Sequence, residues 1–195
     1  MTTNKLLERF QATMHEIVNQ VEKNIDLTNI DDILSTIKLI IEIFKTNNKV
    51  FVYGAGRSGF VGRCLAQRLM HLGIKSCFIS DAVTYQYTDR DLLIVISGSG
   101  ETVSSVAIAK KAKSIGGNIV LLSSTSDNSI AKLADRVIIV HGKSKDVAVS
   151  QKTLAPYTSL FDISALAVLD SIGGVLMQEL GVTEEDIEKR HASIE

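Results

Sequence analysis

The sequence predicts an α/β fold in three layers. A five-stranded parallel, doubly wound sheet lies between helices, with a helix pair in front of it and further helices at the C-terminus. Three observations predict this. From residue 49 onwards, short apolar runs alternate with helical patterns, as in a sheet built from strand–helix–strand units. The run Asp91–Ser97, "DLLIVIS", is apolar without interruption after its aspartate, as expected for a strand covered on both faces. Glycine-rich turns stand where apolar runs hand over to helices: Gly54-Ala55-Gly56-Arg57-Ser58-Gly59 after the first run, and Ser97-Gly98-Ser99-Gly100-Glu101-Thr102 after the third.

The elements follow in order. Leu6, Leu7, Phe10, Met14, Ile17, Val18 and Val21 recur at the three- and four-residue steps of a helix. Asp26-Leu27-Thr28-Asn29 supplies turn and cap residues. A second helix then carries Ile30, Ile33, Leu34, Ile37, Ile40, Ile41 and Phe44 on one face. Residues 1–47 thus form a helical hairpin, which either wraps the core or builds a subunit interface. Residues 48–195 hold the sheet, its helices and a tail, all within one domain. Lys49–Tyr53 is the first strand, and the helix Ser58–Leu72 is closed by Gly73. Ile74–Ser80 is the second strand and Asp91–Ser97 the third. The helix Glu101–Ile115 ends at Gly116-Gly117, before the fourth strand, Asn118–Ser123. A short helix over Asp127–Ala134 precedes the fifth strand, Arg136–His141. A polar stretch from Gly142 to Thr158 contains the only proline, Pro156. A long helix runs from Ser159 to Leu180 and stops at Gly181. Thr183-Glu184-Glu185-Asp186 has the form of a capping box for a last short helix.

Composition narrows the function. The chain has 195 residues, 45% hydrophobic and 22% charged. At that length it buries roughly 70% of its unfolded surface and needs no metal or disulfide staple. A net charge of -1 argues against a nucleic-acid partner held by a broad basic field. Cys64 and Cys77 form no C-x-x-C and sit in apolar contexts, so both read as core thiols of a reducing compartment. The first residues lack the charged-then-apolar pattern of a signal peptide. The most apolar stretch, Leu160–Leu180, carries Asp162, Asp170, Gln178 and Glu179, which suits a buried helix rather than a membrane span. The expected location is the cytoplasm, with no membrane partner.

The first glycine turn is a literal G-x-G-x-x-G. A dinucleotide site of that form needs an acidic residue about 20 positions further on, and Asp81 fits. Against that reading, the chain has no second domain for an oxidisable substrate, and a second phosphate-type loop is present. Serines, a threonine and glycines at a helix N-terminus offer hydroxyls and free N–H groups to an anion. In a flavodoxin-like sheet of order 2-1-3-4-5, strands 1 and 3 are neighbours, and ligands bind in the crevice between them. One small phosphorylated ligand touching both loops is the economical interpretation.

With these loops, "GAGRSG" and "SGSGET", the sequence resembles the sugar isomerase (SIS) domain family over nearly all of residues 49–195. The joint presence of "GAGRSGF", "DLLIVISGSGET", "PYTSLFD" and "EKRHASIE" is most similar to the 6-phospho-3-hexuloisomerases of that family. That group typically has Gly and Glu where this chain has Thr158 and Asp162, and Asn-Leu at Ser193-Ile194. Where it has Thr-Thr-Pro, this chain has Val83-Thr84-Tyr85.

The resemblance implies interconversion of D-arabino-3-hexulose 6-phosphate and D-fructose 6-phosphate through a cis-enediol(ate), with no cofactor and no metal. The histidines His15, His71, His141 and His191 are scattered without metal-ligand spacing. The resemblance assigns the substrate phosphate to Ser58, Ser97, Gly98, Ser99, Gly100 and Thr102. Gly56, Arg57, Glu101 and Asp81 are further candidate substrate contacts, although Glu101 equally suits a helix cap and Asp81 a strand end. Asp162 is the candidate base by family match; its plain alternative is a first-turn acid behind a Ser159 N-cap. His191 is the other catalytic candidate, because the family's C-terminal segment can reach a site, including a neighbouring subunit's. An imidazole changes charge near neutral pH, which suits proton shuttling. A 3-ketose phosphorylated at O6 closes no furanose or pyranose ring, so His191 would move protons between O2 and O3. His71 reads as structural. The resemblance further implies a homotetramer or homodimer working with a 3-hexulose 6-phosphate synthase. An arabinose 5-phosphate type isomerase and a non-catalytic sugar-phosphate-binding module are the alternatives.

Overall fold

The computed structural model describes residues 2–142 and 153–193. The chain runs through α1 (Thr3–Leu27), α2 (Ile30–Lys45), β1 (Val50–Gly54), α3 (Arg57–His71) and β2 (Ser76–Phe78). It continues through β3 (Leu92–Ile96), α4 (Val103–Ile115), β4 (Asn118–Ser123), β5 (Arg136–Ile139), α5 (Ser159–Glu179) and α6 (Glu184–Arg190). The five strands are parallel and ordered β2-β1-β3-β4-β5, as expected. The order reverses between β1 and β3, where Gly54 pairs with Ile96. Both glycine turns therefore leave the sheet side by side at its carboxyl edge.

The period-two alternation of the strands divides the core. Val50, Val52, Leu92, Ile94, Ile96, Val120 and Leu122 face α2, α3 and α5. Phe51, Leu93, Val95, Ile119 and Leu121 face α4. All five residues of β3 are buried, as its unbroken apolar run requires. Among the described residues, α5 is the one helix long and apolar enough to cross a membrane. It is a core helix: Phe161, Ala165, Leu169, Ile172 and Leu176 are buried in the larger cluster. Each such leucine or isoleucine contributes about 1.5–3 kcal/mol.

The N-terminal pair divides its work. α2 buries Ile37, Leu39, Ile40 and Ile43 and wraps the core. α1 buries only Asn24, while Leu6, Leu7, Phe10, Met14 and Val18 are exposed. Its inward face is mostly polar, with Ile17 and Val21 half-buried beside Glu16, Gln20 and Asn24. Asn24 Nδ2 donates to the His141 carbonyl at 2.7 Å, His141 N–H donates back to Asn24 Oδ1 at 2.7 Å, and Gln20 Nε2 donates to the same carbonyl at 2.8 Å. Helical periodicity locates α1 but cannot say which stripe turns inward.

Two expectations are corrected. Residues 127–134 form turns rather than a helix. The buried Asn128 donates to the Thr125 carbonyl and accepts from Ala131 N–H, satisfying through its side chain what a helix would satisfy through its backbone. Cys64 is exposed, because it falls on the outer face of α3 with Phe60, Arg63 and Gln67; Cys77 is half-buried, and burial pushes its thiol pKa up. The capping box is present: Thr183 Oγ1 accepts from Asp186 N–H, and Asp186 accepts from Thr183 N–H.

Candidate active site

The β1–α3 turn ends at Gly56, so Arg57 and Ser58 are the first residues of α3. The β3–α4 turn is tighter. Gly100 has φ +65°, and a Cβ there would run into the Asn128 carboxamide, so only glycine fits. Ser97 Oγ accepts from Gly100 N–H at 3.2 Å, which leaves the serine proton for another acceptor. Thr102 caps α4 through its backbone and makes no side-chain cap bond. Two helix N-termini and their hydroxyls thus converge, an arrangement suited to an anion.

They border a cleft of about 300 Å³ lined by Gly56, Arg57, Ser58, Ser97, Gly98, Ser99 and Thr102, and closed by Tyr157, Thr158 and Phe161. Phe161 packs over Gly98, where an added Cβ would stand 3.2 Å from its ring. Gly100 lies outside the lining and shapes the turn.

Behind the cleft wall sits Asp162, only 3% exposed, in the first turn of α5. Its Oδ1 accepts from Ser58 Oγ at 2.9 Å. Its Oδ2 accepts from Arg57 Nε at 3.1 Å and from Thr158 Oγ1 at 2.6 Å. The N-cap position is held by Thr158 rather than Ser159, and its hydroxyl serves Asp162 instead of the helix end. Arg57 is 59% exposed, so the guanidinium neutralises a buried carboxylate while remaining partly in solvent. Helix-dipole preference alone would not gather three donors from two elements around one carboxylate.

The remaining candidates lie elsewhere. Asp81 follows β2 and pairs with Arg63 at 3.0 Å, both side chains well exposed. Glu101 turns away and accepts from Ser129 N–H at 2.6 Å; the Ser129 hydroxyl and N–H hold its carboxyl below the usual carboxylate range. Neither lines the cleft. His191 stacks on His71, ring centroids 5.3 Å apart, while Arg190 Nη1 donates to the His71 carbonyl at 2.9 Å. His71 ends the 15-residue α3 that Arg57 begins. At the rise of an α-helix this separates His191 from the cleft of its own chain by about 20 Å.

Sequence reasoning gave no role to Tyr157, Phe161 or the Thr158 hydroxyl. Thr158 was visible as a departure from the family pattern. Tyr157, within the "PYTSLFD" run and, beside Thr158, a departure from that pattern, gave no sign of its backbone conformation, φ +27°.

A model of the SIS domain family matches residues 42–167, and the chain belongs to that family. It is 40% identical to an uncharacterized protein of Archaeoglobus fulgidus, over 96% of this chain and 99% of that protein. It is 37% identical to a 3-hexulose-6-phosphate isomerase of Methanocaldococcus jannaschii, over 84% of this chain and 96% of that enzyme. A crystal structure of a Methanococcus jannaschii protein, for which a molecular function of 3-hexulose-6-phosphate isomerase was inferred, superposes with a TM-score of 0.80. The two are 35% identical, with 96% of this chain and 99% of that one covered.

Proposed function

We propose that this protein is a 6-phospho-3-hexuloisomerase that interconverts D-arabino-3-hexulose 6-phosphate and D-fructose 6-phosphate without a metal. The observation that carries this is the buried Asp162 carboxylate, hydrogen-bonded to Ser58 just behind the wall of a cleft bordered by the two glycine turns. The similarity to enzymes of that name supports it.

Ser58, Ser97, Ser99 and Thr102 hold the phosphate, with N–H groups of the two turns, and Arg57 adds positive charge. From the 3-ketose, Asp162 takes the proton on C2, and an enediolate forms with its charge on O3. The O2 proton passes to O3. The proton held by Asp162 then returns to C3, leaving the ketone at C2. His191, delivered from a neighbouring subunit, carries the proton between the two oxygens. That arrangement calls for a homotetramer or homodimer, and the apolar outer stripe of α1 suits such association. The enzyme works in the cytoplasm beside a 3-hexulose 6-phosphate synthase.

Ser58 has one hydroxyl proton. Given to the phosphate, it leaves Oδ1 of Asp162 free to act on carbon. One observation favours a second reading, a non-catalytic sugar-phosphate binder: both Asp162 oxygens already accept hydrogen bonds. Incubation with fructose 6-phosphate in excess EDTA separates the two. Formation of the 3-hexulose isomer is expected; tight binding without turnover would establish the binder.

A further inference from the structure

We propose that Glu16, on α1, is a positioning residue for the active site, gripping the peptide that leads Tyr157, Thr158 and Asp162 into the cleft. Glu16 Oε2 accepts from two successive backbone groups, Leu154 N–H at 2.8 Å and Ala155 N–H at 2.6 Å. Two helical turns back on the same face, Arg9 Nη2 donates to the Leu154 carbonyl at 3.1 Å. The peptide is thus held on both its donor and its acceptor sides. Bonds from a carboxylate to N–H groups are charge-assisted and stronger than neutral ones.

The grip sits on a helix that lies along α5 but fully buries only Asn24. Its consequence is local. Pro156 follows directly, its carbonyl accepting from Ser159 N–H at 2.9 Å, and between them lies Tyr157 at φ +27°. Side chains rarely adopt that backbone conformation, so surrounding contacts must enforce it. Thr158, the next residue, must then place its hydroxyl 2.6 Å from Asp162 Oδ2. Glu16 touches neither the cleft nor Asp162. It fixes the approach of the segment that does.

This inference rests on Asp162 being the base, and its test separates the two claims. Glu16→Ala and Glu16→Gln are made in the full chain, alongside Asp162→Asn. A glutamine oxygen can still accept both N–H groups. Glu16→Ala is expected to lower kcat for fructose 6-phosphate about tenfold, while Glu16→Gln stays near wild type. KM should stay within about twofold, since the phosphate turns are untouched. Added to Thr158→Val, Glu16→Ala should cost little more, because both act on the same link. Amide hydrogen exchange reads the grip without catalysis. In Glu16→Ala, Leu154 and Ala155 should exchange faster, and Thr158, Phe161 and Asp162 should follow.

Wild-type kcat in Glu16→Ala, a loss that glutamine fails to rescue, or faster exchange confined to Leu154 and Ala155 would overturn the proposal. Full turnover in Asp162→Asn would remove the base assignment instead, and the exchange pattern would then decide the role of Glu16 alone.

Discussion

The Thr158 hydroxyl donates to Asp162 Oδ2 at 2.6 Å, and these are the two positions where the chain departs from the Gly and Glu typical of its group. A shorter acid is matched by an added donor that holds it. Asp162→Glu alone should therefore fail. The extra methylene enters a site only 3% exposed and collides with Thr158. The expected penalty is about 1–3 kcal/mol of stability with most turnover lost. Asp162→Glu with Thr158→Gly should recover both. Thermal unfolding and steady-state kinetics on the two variants check this pairing.

Ser58 and Ser97 both line the cleft, each at a strand-to-helix turn. In the proposed site, Ser58→Ala and Ser97→Ala each remove a hydroxyl donor to the phosphate. A hydrogen bond to a charged group contributes about 1.5–3 kcal/mol, so affinity for fructose 6-phosphate should fall roughly 10- to 100-fold. Calorimetric titration measures it directly. Unchanged affinity in both variants would move the phosphate elsewhere.

Asp91 supplies a contrast, as a buried acid with a purely structural role. It is 0% exposed and accepts from Lys49 N–H, Thr88 N–H and the Thr88 hydroxyl. Asp91→Ala strands those donors beside β1 and β3. The expected cost is about 3–5 kcal/mol in denaturant unfolding, with kcat per folded molecule unchanged.

Acid should loosen the C-terminus before the sheet. Thr183 N–H, then its hydroxyl, holds the Asp186 carboxyl below the usual carboxylate range. Because the folded pKa is depressed, the capping box stabilises α6 above the ordinary aspartate pKa. That stabilisation is lost as pH falls below about 4 and through the folded value. Amide exchange in α6 should accelerate there. Asp186→Asn should show faster exchange at neutral pH and no such acid step.

Much of the fold was legible because parallel strands buried on both faces leave unbroken apolar runs, as in β3. Their order was legible because two anion-type turns imply neighbouring strands. The inward face of α1 was not legible: most of its apolar stripe points outward, only Ile17 and Val21 being half-buried, while Asn24 and Gln20 anchor it through hydrogen bonds to a distant carbonyl. The 127–134 turns were missed because Asn128 replaces helix bonds with its own side chain. In the site, the serines and Asp162 became candidates through the family resemblance, and the structure gathers Ser58, Ser97 and Ser99 around one cleft with Asp162 bonded to Ser58. The Thr158 bond spans only four residues and showed in the sequence merely as a departure from the family pattern, while the hold of α1 on Leu154 and Ala155 is a long-range contact that no local pattern encodes. Ser193-Ile194, part of the tail motif, lies partly outside the described residues.

The most direct test is turnover of fructose 6-phosphate in excess EDTA by the wild type, Asp162→Asn and His191→Asn, with ligand affinity measured in parallel. Asp162→Asn is expected to lose about 10²- to 10⁴-fold in kcat with affinity intact, and His191→Asn to lose less. Undiminished turnover in Asp162→Asn, with activity lost only in His191→Asn, would contradict the account and move the base to the tail.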